Sequence, residues 1–162
     1  MEIVADSSPL ISCARAGKLK LISDVYLRII IPPSVYSEVV IQGAGRPGAD
    51  EIQAAVSLWV EVKEPQDRDF VNRLEQRLGP GESEALALAK ELDAFLLADE
   101  RKVIYEARNC GVRVKSTLLM LLEAKDRSLI VSVGRELDEL IASGFRCSDA
   151  LYRKALALSD EF

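Results

Sequence analysis

"EIVADSSPLI" (residues 2–11) decides how this chain is read. A short apolar run ends in Asp6, two serines and Pro9, which is a strand stopped by residues that start helices. The Asp6 carboxylate thus stands where strand gives way to helix. Two roles fit it. It can cap the free backbone N–H groups of the helix, or it can belong to a metal site whose other members lie far along the chain. The roles are compatible, because one oxygen can cap while the other binds.

Outward from this stretch the same grammar recurs. "AFLLADE" (94–100) is a second strand ending in an acid, Asp99. "RIIIPP" (28–33) is a β-branched run closed by two prolines, "WVEVKEP" (59–65) ends at Pro65, and "VRVK" (112–115) is a brief fifth strand. Between them lie helical patterns at 8–17, 18–26, 33–42, 51–58, 67–78, 82–93 and 101–111. Strands alternating with helices predict right-handed βαβ crossovers and a mostly parallel sheet. "GAGRPGAD" (43–50) is the clearest loop, and it divides elements rather than domains. From about Ser116 onward every segment reads as helix, so the expectation is a single domain over 1–162 with a mostly helical C-terminal part.

At 162 residues the chain can bury about two thirds of its unfolded surface in one core. With 49% hydrophobic and 29% charged residues it reads as globular. No apolar run suits a membrane span, and no secretory signal is evident. Cys13, Cys110 and Cys147 stand in no CxxC pair and read as reduced thiols, which predicts a cytoplasmic protein. There is no histidine. That excludes Ser-His-Asp and Cys-His nucleophile systems, HExxH zinc sites and histidine proton transfer. Any enzymatic chemistry must then run on carboxylates, hydroxyls, Lys, Arg or Tyr, and oxygen ligands of that kind suit Mg²⁺ or Mn²⁺. The net charge of −5 argues against a broad nucleic-acid-coating face, but not against a nuclease whose acids hold cations.

In open parallel sheets ligands sit beyond the carboxyl ends of the strands, where strand order reverses. Asp6 and Asp99 would both emerge there if their strands are neighbours. Glu38 lies off the apolar stripe of its helix, and taken alone it reads as an exposed acid. Glu82 and Glu84 open an Ala-rich helix. Helical spacing aligns Glu82 with Ala85, Leu86 and Ala89 and gives Glu84 a more mixed face, which favours Glu82 as the inward carboxylate.

The ordered set "ADSSPLISCARAGKLKLI", "IIIPPSVYSEVV", "LGPGESEALALAKEL", "FLLADERK" and "STLLMLLEAKDRSLI" resembles the PIN-domain nucleases, a small prokaryotic PIN-like subfamily related to the VapC toxins. The resemblance implies a three-layer α/β/α sandwich around a mostly parallel sheet of about five strands. It implies a metal-dependent endoribonuclease, with Asp6, Glu38, Glu82 and Asp99 as catalytic acids holding Mg²⁺ or Mn²⁺. Ser7 or Ser8 matches the family's small hydroxyl after the first acid, and Glu84 and Glu100 are secondary or substitute ligands. Arg101, Lys102 and Lys115 are candidates for phosphate contact. The implied partners are an RNA substrate, a small antitoxin protein and a second copy in a homodimer, with no membrane. Glu82 departs from the usual Asp, and Ser116, Leu119 and Ser128 replace glycines common in relatives.

Competing chemistries fare worse. A phospho-acceptor receiver domain needs an acidic pair after the first strand, and a haloacid-dehalogenase-type phosphatase needs Asp where Ser8 stands. The remaining alternative is a catalytically silent PIN-like module that binds RNA or a protein partner.

Overall fold

The structure is a computed structural model and describes residues 1–161. Five strands form one all-parallel sheet: β1 (Ile3–Ala5), β2 (Ile29–Ile31), β3 (Val60–Val62), β4 (Phe95–Leu97) and β5 (Val114–Lys115), in the order β3-β2-β1-β4-β5. All three residues of β1 and of β2 are buried, as a strand covered on both faces demands, while edge strand β3 exposes Glu61 and Val62. The chain steps outward from β1 to β3, then crosses back to β4 and on to β5. Strand order therefore reverses between β1 and β4. There Ala5 pairs with Leu97, and the Asp6 N–H donates to the Leu97 carbonyl at 3.0 Å. The two acid-ending strands are neighbours in register.

Helices cover both faces. α1 (Ser7–Arg15) and α2 (Leu19–Tyr26) join β1 to β2, and α3 (Pro33–Tyr36) with α4 (Ala49–Ala55) joins β2 to β3. On the return path α5 (Arg68–Leu74) and α6 (Pro80–Leu92) lead to β4, and α7 (Arg101–Asn109) leads to β5. α6 packs on β1 and β4, flanked by α3, α5 and α7, so every residue from Ser83 to Ala89 is buried. After β5 come α8 (Thr117–Asp126), α9 (Val133–Ala142) and α10 (Asp149–Leu158). α8 packs on α2 and α9 on α1. Lys18, between α1 and α2, pairs with Glu136 and Glu139 of α9. Glu161 accepts the N–H groups of Val133 and Gly134 at 2.7 and 2.9 Å and the Lys125 ammonium at 2.8 Å, binding the chain end to α8 and α9.

Local departures from the expected elements concern the acids. Residues 33–42 do not form one regular helix: α3 continues into a π-helical turn, Ser37–Ile41, closed by Gln42 N–H on the Ser37 carbonyl at 2.8 Å. α6 begins at Pro80, two residues before the expected start, because Pro fits the first turn and Gly79 caps it. The three cysteines are free, and burial pushes the Cys13 thiol up to about 12, as a side chain packed among apolar neighbours. Among the described residues no helix is long and apolar enough to cross a membrane.

Candidate active site

Asp6 plays two parts through its two oxygens. Oδ1 accepts the Ser7 N–H at 2.8 Å at the start of α1, while Oδ2 is buried without a hydrogen-bond partner. A buried carboxylate oxygen with no donor is costly. Burial, followed by the charges of Glu82, Glu38 and Glu100, outweighs the Ser7 N–H and raises the Asp6 carboxyl to about 7.

Three glutamates from three elements place their charges near Asp6. Glu38 stands in the π-helical turn and accepts the Ser7 hydroxyl at 2.7 Å through Oε2. Its carboxylate fits there because residue 81 is glycine: a Cβ at Gly81 would lie 2.4 Å from Glu38 Oε1. Glu82, third residue of α6, accepts the Gly79 N–H at 2.8 Å through Oε1. Glu100 follows β4 and lies near Glu82, an acid pair that favours a shared proton or a cation between them. Burial, then the Glu82 charge, raises the Glu100 carboxyl. Lys102 supplies a cation, 3.3 Å from Glu82 Oε1 and 3.9 Å from Glu100 Oε2. Arg146, on the loop between α9 and α10, adds positive charge near Glu100. No local pattern marks Arg146 in the sequence, since only the docking of the C-terminal helices brings it here.

The other expected members have surroundings of their own. Both oxygens of Asp99 are taken by Thr117, the backbone N–H at 2.8 Å and the hydroxyl at 2.7 Å, so Asp99 ties the end of β4 to the start of α8. Burial raises its carboxyl despite those bonds. Glu84, expected as a secondary or substitute ligand, has its carboxylate engaged by other partners. It is buried on the side of α6 facing α3 and α5, where it accepts the Ser34 N–H at 2.9 Å and the Arg68 guanidinium at 2.8 Å. Burial alone would raise it, but these partners hold it below the usual carboxylate range. Of the two serines, Ser7 makes the contact; Ser8 is half-buried with no side-chain bond to the acids. Arg101 is exposed at the start of α7. Lys115 is turned away, bonded to Glu123 at 2.8 Å with its ammonium 4.6 Å from the Phe95 ring centroid, at the opposite end of β4.

The donor set suits a hard divalent cation: four carboxylates, no histidine, and an unsatisfied buried oxygen on the most enclosed acid. Among the described residues no three acids converge tightly enough to surround one ion. Holding an ion therefore requires the glutamates to rotate toward Asp6, whose capping bond fixes it.

A family profile described as DUF3368, a PIN domain, matches residues 2–161. Among solved structures the chain is similar to a PilT N-terminus domain protein, SSO1118, from the hyperthermophilic archaeon Sulfolobus solfataricus P2. The identity is 23%, covering 91% of this chain and 98% of that one, with a TM-score of 0.50. That likeness shows a shared fold. No curated protein matches.

Proposed function

The chain belongs to this PIN-domain family and is a nuclease-type module, and on that premise we propose that it is a divalent-metal-dependent ribonuclease centred on Asp6. One observation carries the reading: at the strand-order reversal, a buried carboxylate with an unpartnered oxygen is surrounded by the charges of three glutamates. Acids so placed would repel a phosphate backbone unless cations neutralise them.

Asp6, Glu38, Glu82 and Glu100 hold Mg²⁺ or Mn²⁺ in this proposal. When bound, the ion supplies an activated water and neutralises charge at the scissile phosphate. Ser7 orients the Glu38 carboxylate by its hydroxyl bond. Asp99 acts at one remove, keeping the β4 end and α8 in place through Thr117. Lys102, 3.3 Å from Glu82, is the phosphate contact in this proposal, with Arg101 exposed at the start of the same helix. RNA as substrate and a toxin role follow from the family resemblance; a toxin would arrest growth when expressed alone and be silenced by a small antitoxin, and a homodimer would show in sedimentation.

The test is cleavage of mixed single-stranded RNA with Mn²⁺, with Mg²⁺ and with EDTA. Cleavage is expected only with metal and is expected to fall at least ~100-fold in Asp6→Asn, as for loss of a principal charge-stabilising group. Cleavage that survives chelator or that substitution contradicts the proposal. Metal-independent RNA binding with no cleavage would favour the silent module.

A further inference from the structure

A cleft of about 620 Å³ opens beside Glu38. Its walls come from α1, α3, the π-helical turn, the glycine-rich loop and the start of α6, with Arg15, Arg46 and Gln42 among the polar groups, Glu38 as the acid at its inner end, and Ile11, Pro47 and Pro80 among the apolar ones. Neither arginine joins an ion pair among the described residues, and both are exposed. In a chain with 26 acids and 21 bases, two unpaired guanidiniums in one cleft stand out.

The loop that carries Arg46 is built rather than slack. Arg46 N–H donates to the Gly43 carbonyl at 2.9 Å, and Ala49 N–H donates to the Arg46 carbonyl at 3.3 Å. Gly48 has φ +97°, and a Cβ there would lie 2.7 Å from Ala14 Cβ. Only glycine lets the loop turn and close onto α1, next to Arg15.

We propose that this cleft is a subsite for a phosphodiester backbone, in which Arg15 and Arg46 hold phosphates of a single-stranded segment leading to Glu38. The direction of the strand toward Glu38 rests on the nuclease reading; the binding does not. Guanidiniums engage phosphate oxygens through paired N–H groups, and such contacts position a strand without reading its bases. A concave cleft of ordinary ligand-pocket size admits one strand, whereas a duplex presents its phosphates on a convex cylinder. Pro47, Pro80 and Ile11 offer apolar surface to the sugars and bases.

The test is fluorescence anisotropy with a short labelled oligouridylate in EDTA, where nothing is cut, over a range of salt. Against wild type, the variant Arg15→Gln/Arg46→Gln is expected to lose about 1.4 from the slope of log K on log salt, two contacts at about 0.7 each. Arg15→Lys/Arg46→Lys is expected to restore the slope. Arg153→Gln, on α10, leaves it unchanged. An unchanged slope in the double glutamine variant overturns the proposal, as does a wild type that does not bind the probe. Competition by an RNA duplex or an oligoglutamate peptide as effective as unlabelled oligouridylate also overturns it. Cleavage with an unaltered slope would leave the nuclease reading standing alone, and an altered slope without cleavage would leave the subsite standing alone.

Discussion

Burial, reinforced by Glu82, Glu38 and Glu100, raises the Asp6 carboxyl from 3.8 to about 7, so metal-free folded protein binds a proton that the unfolded chain has released. Between those values the folded state holds more protons, and stability falls as pH rises from about 4 to about 7. Asp6→Asn is expected to remove that slope and to raise the metal-free melting temperature at pH 8 by about 5 °C. Thermal melts across pH read both. Asp99 follows the neighbouring strand, and burial raises its carboxyl as well, but Thr117 satisfies both its oxygens. Asp99→Ala strips partners from a buried threonine and is expected to cost about 1–3 kcal/mol in denaturant unfolding at neutral pH. Asp6 was legible as both cap and candidate ligand from "ADSS" alone. That Glu100 adds its charge at Asp6 while Asp99 bonds Thr117 was not, since two adjacent acids after a strand differ only in which direction the backbone turns.

Among the elements, the five strands were readable because β-branched runs closed by Pro or acid leave few alternatives. The turn holding Glu38 was not. Val35, Val39 and Val40 keep helical spacing through it, and the extra residue of the π-helical turn leaves no mark on a pattern that short. Glu82 bonds the Gly79 N–H and adds its charge at Asp6, but no apolar stripe sets it apart from Glu84. α6 is enclosed on every side, so Glu84 is the more buried of the two and finds Ser34 and Arg68 instead of solvent. α6 also carries a conflict that can be measured. Ala in place of helical Gly81 would ordinarily add about 0.5–1 kcal/mol of stability, yet its Cβ would displace the Glu38 carboxylate. Gly81→Ala is expected to keep or raise the melting temperature while cutting cleavage at least about tenfold. Full activity with unchanged stability would mean that Glu38 has no part in the reaction.

Across the whole molecule, the strand order β3-β2-β1-β4-β5 gathers acids from residues 6, 38, 82 and 100 at one edge. The C-terminal helices bring Arg146 to the same edge, and α1 with the glycine-rich loop brings Arg15 and Arg46 to the cleft beside it. The alternation of strands and helices announced the sheet; the cationic rim depended on contacts between segments more than 30 residues apart, for which a single sequence carries no signal. The central claim is that the Asp6 cluster takes up a divalent cation despite acids that do not yet converge. Calorimetric titration of Mn²⁺ into metal-free protein, paired with melting, tests it most directly. Wild type is expected to bind, with about 2.7 kcal/mol of added stability at one hundred times the dissociation constant, and Asp6→Asn is expected to lose that binding. No uptake by wild type, or equal uptake by Asp6→Asn, would contradict it.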